Sequence, residues 1–538
     1  MIGVVLGLVQ AAPLAAERAS IRVPRYDIAY VFEAPEPATH TAKVRMQISG
    51  ALAESTLIQL PAWYPGRYAI YNFAANVQEV RAACNGRSMA APKRDKQTWS
   101  VRCPAPRRGS ATIDFDLTVW WNDLNGSHSQ IDAHHVNLNP GNVFPYVVDH
   151  KPDSVVVTYR GPDGWTAVNG AVITPFPGPI TQRFPNYDVF IDHPTEMSDR
   201  FTIDTFTVGT VQYRVVLHAD RASAAARARL VAGIRRVVAA EVEMWGDPPI
   251  ARYTFLVHYV PNNRGGGDGM EHLTSSQVIV PTALTDSTGF QSAAGYYDQF
   301  ELYAHEFFHT WNMKRLRARE LGPWDYTREN YTSTLWFGEG FTNYYGARMV
   351  YRAGLWNRAQ YLARAASGVA QLQSTPGRLV MSAQDASRSA WFLDRVPLRQ
   401  QAALPASAVS YYVKGEALAW LVDLEVRART AGEKTLDDVM RFLWKRFWNG
   451  ATTSYYLQGR GYTDDDLRLA LNDLTQTDFT DFFNRYVGGV EELPYGATLA
   501  KVGLRLVTDA GSKEYRIESD PDADAYERAM GQAWLEGR

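Results

Sequence analysis

The feature that most constrains this chain is a pair of histidines separated by one helical turn. Residues 305–309 read His-Glu-Phe-Phe-His. In a helix, His305 and His309 lie on the same face, with Glu306 beside them. Two neutral imidazoles suit a zinc ion, and a neighbouring carboxylate can take a proton from a water bound there. The motif therefore predicts a helix that carries His305 and His309 as zinc ligands and Glu306 as a general base.

A zinc ion held in this way needs a third protein ligand, while its fourth position stays open for water. Downstream of the motif, Glu339 stands within Trp-Phe-Gly-Glu-Gly-Phe-Thr. A helix there could turn its carboxylate toward the metal, so Glu339 is the best candidate. Glu301, Glu320 and Glu329 also lie nearby in sequence, and spacing alone does not exclude them.

Length and charge limit the possible architectures and partners. A chain of 538 residues is too long for one compact core and indicates about three domains. The hydrophobic share of 46% and the charged share of 21% are typical of a globular protein. The formal net charge is only −2, which gives no electrostatic case for nucleic acid or an anionic membrane. We therefore expect no nucleic-acid partner.

The amino-terminal segment resembles an export signal. Residues 2–16 are apolar and end in small residues, although the usual basic start is missing. The segment is too short for a stable membrane span, and no other stretch qualifies. We interpret residues 1–20 as a possible signal segment and expect a periplasmic or secreted protein, with a cytoplasmic location as the alternative.

The only two cysteines, Cys84 and Cys103, each end a short segment of alternating apolar residues. A hairpin could bring them together, and an oxidising compartment would then join them. The alternative is two unpaired, half-buried thiols. Neither cysteine has the spacing of a metal site.

The hydrophobic period changes along the chain. Residues 21–205 alternate apolar and polar side chains between Pro, Gly and Asn turns, which predicts an all-β sandwich domain. Residues 206–355 combine helices and strands, which predicts an α+β catalytic domain. Residues 356–490 are predicted to be α-helical. Residues 491–538 have little pattern and are interpreted as a short tail.

Within the predicted catalytic domain, a long helix over 222–245 precedes strands at 253–259 and 276–280, with a glycine-rich loop at 262–269 between them. The helix with the histidine motif is expected from about residue 296 to residue 316. Beyond residue 332, the pattern predicts helices at 333–351, 357–373, 410–430, 436–447, 464–474 and 478–487.

Three segments resemble the glycyl aminopeptidase family of gluzincin zinc peptidases, which has a thermolysin-like catalytic domain. They are His-Glu-Phe-Phe-His-Thr-Trp-Asn-Met-Lys-Arg-Leu at 305–316, Phe-Thr-Asn-Tyr-Tyr at 341–345 and Leu-Pro-Ala-Trp-Tyr-Pro-Gly-Arg-Tyr at 60–68. The resemblance spans roughly residues 61–487. It implies His305, His309 and Glu339 as the ligands of one Zn²⁺ per chain, with Glu306 as the general base.

The same resemblance implies two further parts of a site. Gly269, Met270 and Glu271 resemble the exopeptidase segment of gluzincin aminopeptidases, in which the glutamate holds the free ammonium of the substrate. A carboxylate at the blind end of a cleft would anchor that charge and restrict cleavage to the first peptide bond. Tyr411 and Tyr412 fall in a segment that resembles the tyrosine motif, whose phenol stabilises the oxyanion, and the register selects Tyr412.

The family often carries a carboxy-terminal PDZ domain. Only some fifty residues follow residue 487, less than a usual domain. Residues 502–506 could form its first strand, so we interpret 491–538 as a possible PDZ remnant, with the domain itself truncated or absent.

The resemblance implies a zinc aminopeptidase that acts on peptides with a free amino terminus and prefers small first residues such as Gly or Ala. One alternative is an endopeptidase or a broad-specificity aminopeptidase that uses the same metal. An alternative from another class is a non-catalytic, zinc-containing peptide-binding protein. The presence of Glu306 and Tyr412 argues against it, because neither is needed merely to hold a metal.

Overall fold

The computed structural model describes residues 25–104, 109–175, 178, 180–220, 222–261, 267–284, 293–394, 404–448, 461–508 and 514–537. The possible signal segment at 1–20 lies outside the described residues, and so do residues 262–266 of the predicted glycine loop. No helix in the described part of the chain is both long and apolar enough to cross a membrane.

The first region is rich in β-structure, as predicted. Its strands are β1 (Asp27–Glu33), β2 (Thr41–Gly50), β3 (Ser55–Gln59), β4 (Val77–Cys84), β5 (Arg87–Met89), β6 (Thr98–Arg102), β7 (Ala111–Trp120), β8 (Gln130–Ile131), β9 (His135–Leu138), β10 (Tyr146–Val147), β11 (Val155–Arg160), β12 (Thr166–Val168), β13 (Ile173–Pro175), β14 (Ile180–Phe184) and β15 (Thr195–Ser198). They form sheets in the orders β14-β11-β1-β2-β7-β4-β5, β10-β3-β6 and β13-β12-β15-β9-β8. One short helix, α1 (Tyr187–Ile191), precedes β15.

Strict alternation of side chains explains why these segments form sheets around a core. In β7, Ile113, Phe115 and Leu117 are buried, whereas the residues between them are partly exposed. Side chains alternate between the two faces of a strand, so the apolar set of each strand faces one common core. Cys84 at the end of β4 and Cys103 beyond β6 are joined by a disulfide, with a Cα–Cα distance of 5.4 Å.

A separate sheet forms the centre of the region predicted to be catalytic. Its strands are β16 (Thr202–Val208), β17 (Val211–Ala219), β18 (Arg252–Tyr259), β19 (Asp268–Glu271) and β20 (Ser275–Val280), in the order β16-β17-β18-β20-β19. Strand β17 is parallel to β18, and β18 is parallel to β20, whereas β16 and β19 are antiparallel edge strands. Strand β16 crosses the predicted boundary between residues 205 and 206 and belongs to this sheet.

Two long helices cover one face of this sheet. They are α2 (Ala224–Trp245) and α3 (Ala293–Phe308). Val215 and Val257 point from the sheet into the same core as Phe307 of α3. The helix that carries the histidine motif is therefore fixed by burial of its apolar face on the sheet.

The remaining chain is mainly helical, as predicted. Its helices are α4 (Leu335–Gly338), α5 (Gly340–Arg352), α6 (Arg358–Gln373), α7 (Ala383–Arg388), α8 (Ala390–Leu393), α9 (Leu404–Ser407), α10 (Tyr411–Arg429), α11 (Leu436–Phe447), α12 (Asp464–Thr475), α13 (Thr480–Phe482) and α14 (Tyr495–Ala500), with a π-helical turn at Phe483–Val487. Capping boxes begin α6, α11 and α12. The described residues thus confirm the predicted combination of a β-domain, an α+β catalytic core and a helical region.

Two predicted helices are wrong in their extent. The motif helix ends at Phe308, well before residue 316, because the chain turns and Met313 adopts a φ of 100°, which an α-helix does not allow. The helix expected over 333–351 is divided at Glu339 into α4 and α5. Both changes occur beside the predicted zinc ligands.

The interpretation of residues 491–538 as a weakly patterned tail is wrong for the residues described there. Strands β21 (Leu504–Thr508) and β22 (Tyr515–Ser519) form a hairpin, and α15 (Ala525–Glu536) follows. The hairpin packs against α6. Trp534 of α15 is fully buried, and its carbonyl accepts a hydrogen bond from Arg348 of α5 at 2.8 Å. This segment is therefore part of the helical core.

Candidate metal centre and active-site cleft

Three predicted ligands converge at one buried point. His305 lies in the last turn of α3, His309 follows that helix, and Glu339 lies between α4 and α5. Glu339 Oε2 is 3.4 Å from His305 Nε2 and 3.3 Å from His309 Nε2, and the two ring nitrogens are 2.9 Å apart. Ligand atoms around a tetrahedral zinc ion lie about 3.3 Å apart, since each bond is about 2.0–2.1 Å. These donor atoms fit a zinc ion.

Asn312 links the two halves of this centre. The turn after α3 places its carbonyl oxygen 2.9 Å from His309 Nδ1, which leaves His309 Nε2 free for a metal. The Asn312 amide donates to the Gly338 carbonyl and to Thr342 Oγ1, both at 3.1 Å. The same residue therefore orients one imidazole and holds the helix junction that carries Glu339.

Glycines on both sides of Glu339 allow the surrounding segments to approach closely. A Cβ at Gly338 would overlap the Met313 sulfur, and a Cβ at Gly340 would overlap the backbone of Gly415 in α10. Larger side chains would push the helices apart. This packing brings the amino-terminal end of α10 toward the zinc ligands.

The protonation states of the three predicted ligands depend on one another. Burial opposes ionisation of Glu339, but His309 and His305 outweigh it and lower the pKa of Glu339 to about 2. Burial opposes protonation of His309, but Glu339 outweighs it and raises its pKa to about 9. Burial and the neighbouring His309 lower the pKa of His305. Glu339 is thus an ionised, buried carboxylate beside two imidazoles.

Glu306 and Glu271 form a pair of buried carboxylates beside His309. One ligand atom from each of these three residues lies within 4.8 Å of the other two. Burial raises the pKa of Glu306 well above its ordinary value. A Cβ at Gly269 would overlap Glu306 Oε1, and a Cβ at Gly66 would lie 2.9 Å from Glu271 Oε1. Each carboxylate therefore occupies space that a neighbouring glycine leaves open.

The side chain of Met270 lies in the core of the β-rich domain. It is fully buried there and fills the space above Gly66 and Gly126. Its sulfur and the Glu271 carboxylate both lie close to the position that a Cβ at Gly66 would take. The substrate-binding role expected of Met270 stays a prediction.

The tyrosines at the start of α10 occupy different environments. The ring of Tyr412 is 6.3 Å from the ring of His305 and borders a cleft of about 630 Å³ that also exposes Glu306 and Gly269. Tyr411 is buried and packs edge-on against Tyr68 at 6.3 Å. Only Tyr412 of the pair borders the cleft.

The other glutamates considered as ligands have different partners. Glu301 accepts hydrogen bonds from Arg364 at 3.0 Å, and Glu320 accepts one from Thr332 at 3.3 Å. Among the described residues, neither these two nor Glu329 belongs to a group of side chains able to hold a metal.

Arg67 is a site residue that the sequence did not single out. It extends from the β-rich domain, forms an ion pair with Asp268 and donates to the Gly269 carbonyl at 2.6 Å. Asp268 also accepts a hydrogen bond from the Gly126 amide at 2.8 Å. The β-rich domain thus holds edge strand β19, which carries Glu271. The feature of the sequence that could have indicated this role is the arginine within Pro-Gly-Arg-Tyr at 65–68.

Comparisons with known proteins agree on one family. The model of the M61 peptidase N-terminal domain matches residues 29–199, and the model of the M61 glycyl aminopeptidase matches residues 298–418. Together they cover more than half of the chain. No curated protein matches the sequence.

Solved structures share the fold. An aminopeptidase N family protein from Idiomarina loihiensis is 25% identical over 90% of this chain and 79% of its own, with a TM-score of 0.80. An M1 zinc metallopeptidase from Deinococcus radiodurans is 15% identical over 87% of this chain and 96% of its own, with a TM-score of 0.53. The chain is therefore a zinc aminopeptidase that belongs to the M61 glycyl aminopeptidase family.

Proposed function

We propose that this enzyme removes single small residues from the free amino termini of peptides, with zinc held by His305, His309 and Glu339. The position of Glu271 carries the proposal, because its carboxylate lies within 4.8 Å of ligand atoms of Glu306 and His309. One residue spans about 3.3–3.6 Å of extended chain. An ammonium group bound to Glu271 would therefore leave room for one residue before the peptide bond that Glu306 can reach.

Each polar residue of the cleft has a proposed role in hydrolysis. Held by His305, His309 and Glu339, a zinc ion would supply Lewis-acid chemistry, which polarises a carbonyl group and lowers the pKa of water to about 7. Glu306 accepts a proton from the attacking water and passes it to the departing amine nitrogen. Burial raises the pKa of Glu306, which makes it a stronger base than an exposed glutamate. The Tyr412 hydroxyl donates a hydrogen bond to the developing oxyanion.

Tyr68 supports the preference for small first residues. Its ring is almost fully buried, and burial together with the charges of Glu339 and Glu271 raises its pKa well above the ordinary value. The ring is held edge-on by Trp391 at 5.9 Å and by Tyr411. We infer that this large, fixed ring, whose pKa both carboxylates raise, limits the space for the first side chain of a substrate.

We further propose that the enzyme works in the periplasm or outside the cell. The Cys84–Cys103 disulfide supports this proposal, because such bonds persist in oxidising compartments. In fractionated cells that express the full chain, we expect the protein in the periplasm or the medium, without residues 1–20. Intact protein confined to the cytoplasm would contradict this location.

We predict that Glu306→Gln retains zinc and loses activity. The amide keeps the shape of the side chain but does not accept the proton of water, so cleavage of glycine and alanine arylamides should fall by about 100-fold or more. Metal analysis and initial rates on the same preparation test this. The nearby variant Glu329→Gln serves as the control and should keep both properties. Substantial activity in Glu306→Gln would exclude the proposed base.

We predict that Glu271→Ala lowers kcat/KM for unblocked peptides by about 100-fold, because it removes the charged partner of the substrate ammonium. The wild-type enzyme should not cut the same peptides after acetylation of their amino termini. Mass spectrometry of the products checks both results. Cleavage of acetylated peptides, with Glu271→Ala fully active, would instead support the endopeptidase alternative.

We predict that Tyr68→Ala shifts the preference toward larger first residues. Removal of the ring opens space for a larger side chain, so the ratio of kcat/KM for leucine and alanine arylamides should rise by about 10-fold, the low end of what one methylene group in a hydrophobic pocket is worth. Tyr68→Phe is the matched control, because it keeps the ring and should keep the small-residue preference. An unchanged ratio in an active Tyr68→Ala enzyme would show that another residue sets the preference.

A further inference from the structure

A second group of metal-ligating side chains lies where the β-rich domain packs on the catalytic sheet. His135 of β9 and Glu196 of β15 come from the five-stranded sheet of the first domain, and His218 of β17 and His258 of β18 come from the catalytic sheet. We call these four residues the interface cluster. They share no residue with the centre at His305, His309 and Glu339.

Sheet register places the four side chains together. His218 and His258 are direct partners across β17 and β18, and their rings stack at 4.8 Å. His135 pairs with Ser198 in β9 and β15, which brings it onto the same face as Glu196. The cluster is therefore built into two rigid sheets and does not depend on a loop.

The donor atoms of the interface cluster converge on Glu196. Glu196 Oε1 is 3.0 Å from His218 Nε2, and Glu196 Oε2 is 3.1 Å from His258 Nε2. One ligand atom each from His135, Glu196 and His258 lies within 4.8 Å of the other two. Three imidazoles and one carboxylate form a donor set that divalent transition metals, zinc in particular, prefer.

Unsatisfied polar atoms point to a missing partner at this position. Within the described part of the chain, His135 Nε2 is buried and has no hydrogen-bond partner. Glu196 is fully buried, and its carboxylate contacts the two imidazoles of the catalytic sheet, His218 and His258. Buried polar atoms are normally paired, so an orphaned ring nitrogen beside a buried carboxylate requires an explanation.

The outer contacts of the cluster match those of metal ligands. Asp132 Oδ1 is 3.5 Å from His135 Nδ1, which leaves Nε2 of that ring for an ion. Asn137 Nδ2 donates to Glu196 Oε2 at 3.2 Å. Such contacts orient metal-bound imidazoles and carboxylates. The side chains of His135 and His218 are 12% and 13% exposed, so an ion can enter from solvent.

We propose that the interface cluster binds one divalent transition-metal ion, with zinc as the first candidate, through His135, Glu196 and His258, while His218 holds the other carboxylate oxygen. The ion would join the β-rich domain to the catalytic sheet. Strand β18, which carries His258, pairs with β20, and β20 pairs with the strand that carries Glu271. This site would be structural, and it would raise the metal content above the one zinc per chain expected from the sequence.

The test uses the full chain with its catalytic ligands removed by His305→Ala and His309→Ala. After loading with zinc alone and dialysis, this double variant should retain about one ion per chain, against about two in the wild type, as measured by mass spectrometry of metals. Because the double variant needs no activity, the result is independent of the proposed function. A metal-free double variant would overturn the proposal.

Further substitutions in the double variant locate the ion. His258→Asn or Glu196→Gln should abolish the remaining zinc and the rise in Tm that zinc causes. If either variant fails to fold, His135→Asn is used instead, because the His135 side chain is partly exposed and its replacement disturbs the core less. This variant should lower zinc affinity by about 10-fold or more. The exposed neighbour His134→Asn is the matched control and should bind zinc normally. Zinc binding that survives all three ligand substitutions would place the ion elsewhere and overturn the proposal.

Discussion

The burial of an ionised Glu339 between two imidazoles is the constraint on which the active site depends. An unpaired carboxylate in such a place would cost several kcal/mol, so its position is stable only when His305 and His309 are held against it. Asn312 helps to hold this arrangement through two hydrogen bonds. Its carbonyl oxygen accepts one from His309 Nδ1, and its side-chain amide donates the other to the Gly338 carbonyl, next to Glu339. A divalent cation at the same point satisfies all three groups, which explains why this geometry suits zinc.

The active site also depends on contact between two domains. Glu271 lies on an edge strand, and edge strands present unpaired backbone groups unless another part of the protein covers them. Arg67 supplies that cover from the β-rich domain. The interface cluster lies between the same two domains, so both the proposed active site and the proposed second ion depend on how the two domains pack.

The sequence predicted the parts of the site that follow from local spacing. His305, Glu306 and His309 lie within about one turn, and Glu339 follows in a segment that was predicted to be helical and to turn its carboxylate toward the metal. Positions fixed by distant partners were not predictable in the same way. The end of the motif helix follows from the turn at Met313, and the inward direction of Met270 follows from the core of another domain. The burial of Trp534 likewise depends on α5, which is far away in sequence.

The most direct test of the metal centre is anomalous diffraction at the zinc edge from crystals of the zinc-loaded enzyme. Zinc held by the three predicted ligands should give an anomalous peak about 2.0–2.2 Å from His305 Nε2, His309 Nε2 and a carboxylate oxygen of Glu339. Glu271, Glu306 and His309 form another group whose ligand atoms lie close together. A peak bound by that group, or no peak beside Glu339, would contradict the proposed metal centre.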